Sequence, residues 1–228
     1  MTQVFDADGR QIPVTLIEAG PCHVMEVRTK EKNGYSAVQL AFDKVREKTL
    51  TKPKLGQMKK AGAPALRFVR EIRTEDVNGL SVGAQVRVDN FEAGDFVDVV
   101  GISIGKGFQG AVKRHNFKGA LTMSHGDMHG RRVGSIGASS FPSRVVKGMR
   151  APGHMGDERV TVENLKVIKV DLDSNILAVR GAVPGVEGGY LMVRSALKKG
   201  KRRPWKVQGG SQESSKEVPS QEAKPQEA

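Results

Sequence analysis

Short segments rich in β-branched residues recur along most of this chain, each bounded by turn residues. Alternation with a period of two indicates strands with one buried face. Six segments precede residue 101: IPVTLIE (12–18), HVMEVR (23–28), YSAVQLAF (35–42), LRFVREI (66–72), AQVRVDNF (84–91) and FVDVVGI (96–102). After residue 159 the pattern returns as two runs around a DLDSN hairpin turn and a last run, YLMVRSA. The sequence therefore predicts a mainly β fold, a small barrel or sandwich.

The stretch 43–64, DKVREKTLTKPKLGQMKKAGAP, interrupts this strand pattern. It combines many charges, two prolines and weak helical spacing. We expect a small irregular or helical insertion that lies on the surface, outside the core.

A second interruption, residues 101–159, has no sustained apolar periodicity and holds 12 of the 27 glycines and four of the five histidines. Long loops of this kind are either functional or disordered. Ordering the backbone costs roughly 1–2 kcal/mol per residue, and few apolar side chains are present to offset that by packing. We therefore expect this segment to be mobile in the free protein and to be held in place by an external partner.

The charge distribution indicates what that partner is. The chain carries a formal net charge of +12, and segment 101–159 alone has ten basic and three acidic residues. Segment 198–206, KKGKRRPWK, adds six basic residues and no acidic one. Such a surplus favours a polyanion, through long-range attraction and release of counterions.

Several classes of protein are disfavoured. The single cysteine, Cys22, excludes an intrachain disulfide framework and a cysteine-rich zinc module. No run approaches about 18 apolar residues, and MTQVFDADGR lacks the regions of a signal peptide. We expect a cytoplasmic protein with no cofactor, no small-molecule substrate and no membrane partner.

Residues 105–110, GKGFQG, satisfy the G-x-G-x-x-G fingerprint of dinucleotide-binding enzymes. That fold needs a parallel βαβ unit and an acidic residue about 20 positions further on. Here the motif is followed by AVKRHNFKGALTMSHGDMHGRR, in which cations crowd together and Asp127 lies among histidines with no strand to place it. A nicotinamide- or flavin-dependent enzyme is therefore disfavoured.

The same residues suit a polynucleotide. Glycine lets the backbone approach a phosphate chain, while lysine and arginine neutralise phosphates. Only three aromatic residues lie in 101–159, so recognition of the shape and backbone of folded RNA fits better than base stacking. Glycines expected to approach the RNA are Gly105, Gly107, Gly110, Gly134 and Gly137. Side chains expected to contact it are Lys106, Lys113, Arg114, His115, Lys118, His125, His129, Arg131, Arg132, Arg144, Lys147, Arg150, His154, Lys201, Arg202 and Arg203.

A histidine pair and a carboxylate pair could suggest a metal site or a catalytic site, but neither is predicted here. His125 and His129 have metal-ligand spacing only on a helix, and Gly126 and Gly130 disfavour one, so we predict no metal site. The adjacent carboxylates at 157–158 are expected to form ion pairs rather than a catalytic acid and base.

The spacing of residues 91–114 resembles the signature of the third large-subunit ribosomal protein family. In this chain the positions of the signature are Phe91, Asp98, Gly101, Ser103, Gly105-Lys106-Gly107, Gly110 and Arg114. The opening MTQVFDADGRQIPVTLIE is similar to the bacterial branch, as are GSIG (134–137), KGMRAPGHMGDERVTV (147–162) and GAVPG (181–185). The resemblance covers residues 1 to about 197.

This resemblance implies a translation-protein-like β-barrel formed by 1–100 and 160–197, with 101–159 as an extension that threads through ribosomal RNA toward the peptidyl-transferase centre. It also implies direct binding of large-subunit RNA, a role in early subunit assembly, contacts with neighbouring large-subunit proteins, and no enzymatic activity. Segment 198–206 would be an RNA-contacting C-terminal arm, and the polar segment 207–228 a disordered acidic tail. A free-standing module that binds RNA or DNA outside ribosomes is the other open interpretation.

The sequence departs from the family in two places. The family has a short strand containing Gly and Lys ahead of the Met-Thr pair, so either Met1 is an internal methionine of a longer protein or the first strand is shortened. We expect the former, with about ten further residues upstream of Met1. Some members carry a methylated glutamine just before a proline, where this chain has Ala138-Ser139-Ser140-Phe141-Pro142. That modification does not transfer.

Overall fold

The computed structural model describes residues 1–74, 77, 79–119, 130–200 and 205–208. The helices are α1 (Lys30–Asn33), α2 (Lys52–Lys60) and α3 (Ala111–His115), with 3-10 turns at Glu47–Thr49 and Val88–Asn90. The strands are β1 (Thr2–Phe5), β2 (Gln11–Glu18), β3 (Cys22–Arg28), β4 (Ala37–Lys44), β5 (Leu66–Arg73), β6 (Gln85–Val86), β7 (Phe96–Ile102), β8 (Phe108–Gln109), β9 (Gly153–His154), β10 (Arg159–Asp171), β11 (Ile176–Arg180) and β12 (Met192–Ser195). The mainly β prediction is confirmed, with antiparallel sheets and few helices, whereas the barrel stays a prediction.

The chain divides into two compact units, and β2, β10 and β11 run through the division. Of the described residues, unit 1 holds those within 1–15, 95–166 and 180–200, and unit 2 holds those within 16–94, 167–179 and 205–208. Within the described part of the chain, no helix is long and apolar enough to cross a membrane.

In unit 1, β7 lies between β10 and β12 and pairs antiparallel with both. Its run FVDVVGI is buried along almost its whole length, as expected of a central strand. Strand β1, which the sequence pattern did not predict, forms a hairpin with β2. Its four residues are mostly exposed and too few to show a periodic pattern.

Asp98 is a carboxylate in the interior of unit 1, only 1% exposed. It accepts hydrogen bonds from the backbone N–H groups of Asn164, at 3.0 Å, and Leu197, at 3.3 Å. Arg194, its cross-strand neighbour on β12, places a guanidinium nitrogen 3.7 Å from the same carboxylate. Asn164 has a left-handed backbone, φ 57°, where the β7–β10 register shifts. Asp98 therefore satisfies a backbone donor that this bulge removes from the ladder.

Unit 2 contains an antiparallel sheet in the order β5-β4-β3-β6. It also contains the predicted hairpin, in which Val167–Asp171 of β10 pairs with β11. Asp171 closes the turn by accepting hydrogen bonds from the Ser174 hydroxyl, at 2.9 Å, and the Asp173 N–H, at 3.2 Å. The Ser174 hydrogen bond is the main reason that the pKa of Asp171 is lowered.

The insertion at 43–64 is partly helical, as predicted, but the expectation that it lies outside the core is wrong. Met58 on α2 is 2% exposed and Ala61 is 6% exposed. Both pack in a cluster with Met25, Ala41 and Leu66. Lysines occupy four of the nine positions of α2, so the apolar periodicity that would mark its buried side is weak in the sequence.

Two boundaries also differ from those that the sequence predicts. Segment 84–91 forms only the two-residue strand β6, because a 3-10 turn follows at Val88–Asn90. The predicted tail does not begin at 207, because Val207 packs against the unit 2 core and Gln208 exchanges backbone hydrogen bonds with Gln85 at 2.9 and 3.0 Å. Residues 209–228 lie outside the described residues.

Candidate nucleic-acid interface

The two ends of the extension, residues 101–159, pair with each other through the backbone. Beyond β7, the N–H of Ser103 donates to Glu158 O at 2.9 Å, and the N–H of Lys106 donates to Met155 O at 2.8 Å. The Ser103 hydroxyl also accepts from the Glu158 N–H at 3.2 Å. The short strands β8 and β9 then continue the pairing. We call 102–109 together with 153–159 the root of the extension.

Glycines make this close backbone approach possible. Gly156 has φ +78°, and a Cβ there would collide with Ile104 O and lie 2.9 Å from the Cα of Gly105. A Cβ on Gly101 would lie 2.7 Å from the Leu191 side chain and 2.9 Å from Pro184 O. Packing alone therefore explains one glycine of the signature, Gly101.

Helix α3 ties the root to the returning chain. The Arg114 guanidinium donates to Ala151 O at 2.9 Å, and His115 Nε2 lies 3.2 Å from the same oxygen. A Cβ on Gly153 would lie 2.6 Å from Arg114 Nη1, so this glycine makes room for the guanidinium. Asn116, with φ 61°, ends the helix in a left-handed conformation. Arg114 and His115 thus have structural partners, and their contact with RNA stays a prediction.

Most of the other predicted contact residues are exposed on the extension. These are Lys106, Lys113, Lys118, Arg131, Arg132, Arg144, Lys147, Arg150 and His154. All five glycines predicted to approach RNA are exposed as well. A further group lies outside the described residues: His125, His129, Lys201, Arg202 and Arg203.

The described part of the extension has almost no interior. No residue from 130 to 150 is buried, and Phe141 and Val146 are 86% and 65% exposed. Ten basic side chains and two carboxylates, Asp157 and Glu158, lie in its described residues. The surface is therefore strongly positive, with little apolar packing of its own to hold it.

The geometry around GKGFQG excludes the dinucleotide fold. The strand before the motif, β7, pairs antiparallel with β10, and the strand inside it, β8, pairs antiparallel with β9. The helix that follows has only five residues. A pyrophosphate site needs a parallel βαβ unit with a longer helix. Among the described residues, no group of three potential metal ligands comes together.

Residue types alone did not reveal the backbone partners that order the root. Ala151 O receives both Arg114 and His115, and Glu158 contributes its main chain rather than its carboxylate. Only the long-range spacing of the signature, which includes Ser103 and Arg114, pointed to these positions.

Comparison with known proteins gives consistent matches over most of the chain. A family model described as Ribosomal protein L3 matches residues 77–175. The large ribosomal subunit protein uL3 of Heliobacterium modesticaldum is 50% identical over 198 residues, which cover 87% of this chain and 93% of that protein. The protein of the same name from Corynebacterium diphtheriae is 50% identical over 200 residues, covering 88% and 92%. That from Brachyspira hyodysenteriae is 48% identical over 199 residues, covering 87% and 91%.

Proposed function

Because this chain belongs to the family of the large ribosomal subunit protein uL3, we propose that its extension binds large-subunit ribosomal RNA and anchors the protein in the subunit. As a family member, the chain is a structural constituent of the cytoplasmic ribosome and not an enzyme. The observation that carries the proposal is that the described residues of the extension, 101–119 and 130–159, are mostly exposed and carry a large excess of positive charge.

RNA supplies what this segment lacks. Phosphates provide the counter-charge for the exposed lysines and arginines, and each neutralised phosphate releases condensed counterions. Exposed glycine backbone offers N–H donors to phosphate oxygens with no side chain in the way. The paired root fixes where the extension starts, so the RNA has to order only the residues beyond it.

The resemblance supports a more detailed role. The extension reaches toward the peptidyl-transferase centre, the protein joins the subunit early in its assembly, and it contacts neighbouring large-subunit proteins. The strands of 1–100 and 160–197 form the barrel domain from which the extension projects, and 198–206 adds a second RNA contact.

The proposal is tested by titrating the full chain against a transcript of large-subunit ribosomal RNA at several salt concentrations. The test variant changes six exposed cations of the extension to glutamine: Lys106, Lys113, Lys118, Arg131, Arg132 and Arg144. Affinity should fall, and the log–log salt slope should flatten by about 0.7–0.9 for each phosphate that the variant no longer neutralises.

A control variant changes six exposed cations elsewhere to glutamine: Arg10, Lys30, Lys32, Lys166, Lys169 and Arg180. It removes the same formal charge, so a purely global effect of net charge would appear equally in both variants. Equal slopes for the extension variant and the unmodified chain would refute the proposal.

A further inference from the structure

A third block of positive charge lies in unit 2. It is followed by an acidic stretch, so the net charge of the two together is small. Residues 44–73 hold ten basic and two acidic residues, whereas residues 74–100 hold one basic and six acidic residues. All ten cations are exposed. We call them the basic face: Lys44, Arg46, Lys48, Lys52, Lys54, Lys59, Lys60, Arg67, Arg70 and Arg73.

The segments that carry the basic face lie side by side. Val45 donates its N–H to Ala65 O at 2.9 Å, so the chain entering the insertion runs beside the chain leaving it. The Leu66 N–H lies 3.2 Å from Met58 Sδ, which joins the start of β5 to α2. Because Met58 and Leu66 are both buried in one cluster, α2 is fixed against the sheet and its lysines have a defined position.

Two of the four lysines of α2 share one side of the helix, and Lys54 lies nearly opposite them. Lys52 and Lys59 are seven residues apart, close to two helical turns, so they lie on the same side of the helix about 10 Å apart along its axis. Lys60 follows directly in the last turn. On β5, the Arg70 guanidinium lies 4.4 Å from the centre of the Phe68 ring, which limits its rotamers.

The chemistry of this face fits a phosphate backbone and not a protein or a membrane. Between residues 44 and 73 no large hydrophobic side chain is exposed, whereas stable protein interfaces usually bury aromatic anchors and membrane-bound amphipathic helices insert an apolar face. One of the two carboxylates, Glu71, is already engaged 3.2 Å from Arg28. The ten exposed lysines and arginines therefore have only one other carboxylate, Glu47, within the same segment.

We propose that the basic face is a third RNA-binding surface, which contacts phosphates of structured RNA independently of the extension and of segment 198–206. This inference rests on the proposed function, since large-subunit RNA is the polyanion that the family assignment makes available. It predicts that the protein contacts RNA through three parts of its sequence, and that one of them, the basic face, is supported by a packed core.

The test uses the full chain and a transcript of large-subunit ribosomal RNA, with binding measured between about 50 and 200 mM salt. The variant changes Lys52, Lys54, Lys59 and Lys60 to glutamine. If each lysine contacts one phosphate, the loss of affinity across this salt range should become smaller by up to about 50- to 150-fold. A second variant with arginine at the same four positions should restore the slope, because it keeps the charge.

The matched control changes Arg10, Lys30, Lys32 and Lys169 to glutamine and should leave the slope close to that of the unmodified chain. An unchanged slope in the α2 variant, while the extension variant flattens it, would overturn this inference and leave the proposed function standing. Failure of the unmodified chain to bind the transcript would overturn both. Competition by poly-L-glutamate as effective as that by RNA would assign the face to an acidic protein and refute the RNA assignment.

Discussion

Replacing Asp98 with alanine should destabilise unit 1 severely, because the carboxylate is almost completely buried and has several partners. The Asn164 N–H, a half-buried donor at 3.0 Å, would lose its partner at a cost of about 1–3 kcal/mol. The Leu197 N–H belongs to an exposed residue, so its loss should cost about 1 kcal/mol. We therefore expect the free energy of unfolding to fall by about 2–4 kcal/mol, a large share of a small domain's stability.

Two further variants separate this account from a general effect of losing charge. Asp98→Asn keeps one oxygen for the Asn164 N–H and should cost only about 1 kcal/mol. Glu163→Gln removes the partner of Lys198, 2.8 Å away in an exposed ion pair that water screens, and should change the free energy of unfolding far less than Asp98→Ala does. Urea denaturation followed by far-ultraviolet circular dichroism measures all three. A cost below about 1 kcal/mol for Asp98→Ala, or equal costs for the three, would refute the reasoning.

Three other outcomes follow from the structure. Gly156→Ala should separate the two strands of the root and speed amide exchange there, because a Cβ at this position has no room. Gly148 has a similar φ of +81° but open space around it, so Gly148→Ala should leave exchange in the root unchanged. Equal exchange rates in the two variants would contradict this. Burial raises the pKa of the Cys22 thiol to about 11, from an ordinary value near 9, so its thiolate fraction at pH 8 is about 100-fold smaller than that of an exposed thiol. Iodoacetamide should therefore alkylate Cys22 much faster in the guanidinium-unfolded chain than in the folded chain. Equal rates would show that folding does not protect the thiol. Deleting 209–228 should leave incorporation into subunits unchanged. Deleting 205–228 should lower the melting temperature of the protein, because it also removes Trp205, which packs on the unit 2 core. Equal melting temperatures for the two truncated chains would refute this packing.

Strand periodicity was sufficient to predict most of the sheets. FVDVVGI forms β7 over the predicted residues, and the DLDSN turn joins β10 to β11. These predictions hold because alternation and turn chemistry are local properties of the sequence. Segment 84–91 fails because a distant part of the chain contributes to its structure: the Asn90 side chain bonds to Lys206 O at 3.0 Å, 116 residues away.

The root of the extension was not predictable from periodicity. Its order comes from backbone pairing between Ser103 and Glu158 and from the space that Gly156 leaves, and neither produces an apolar pattern. Mobility of 101–159 in the free protein stays a prediction, and the backbone pairing at its two ends is what the apolar pattern did not indicate. The basic face is hidden for a different reason, because residues 1–100 as a whole carry 15 basic and 14 acidic residues and are therefore nearly neutral.

Sedimentation of the native chain tests the central claim most directly. A lysate of the source cells is separated on a sucrose gradient under conditions that dissociate the two ribosomal subunits, and the chain is quantified in every fraction by mass spectrometry. The account predicts that the chain peaks with the large subunit and moves to the top of the gradient after ribonuclease treatment. A chain found mainly at the top of the untreated gradient, among free proteins, would contradict it.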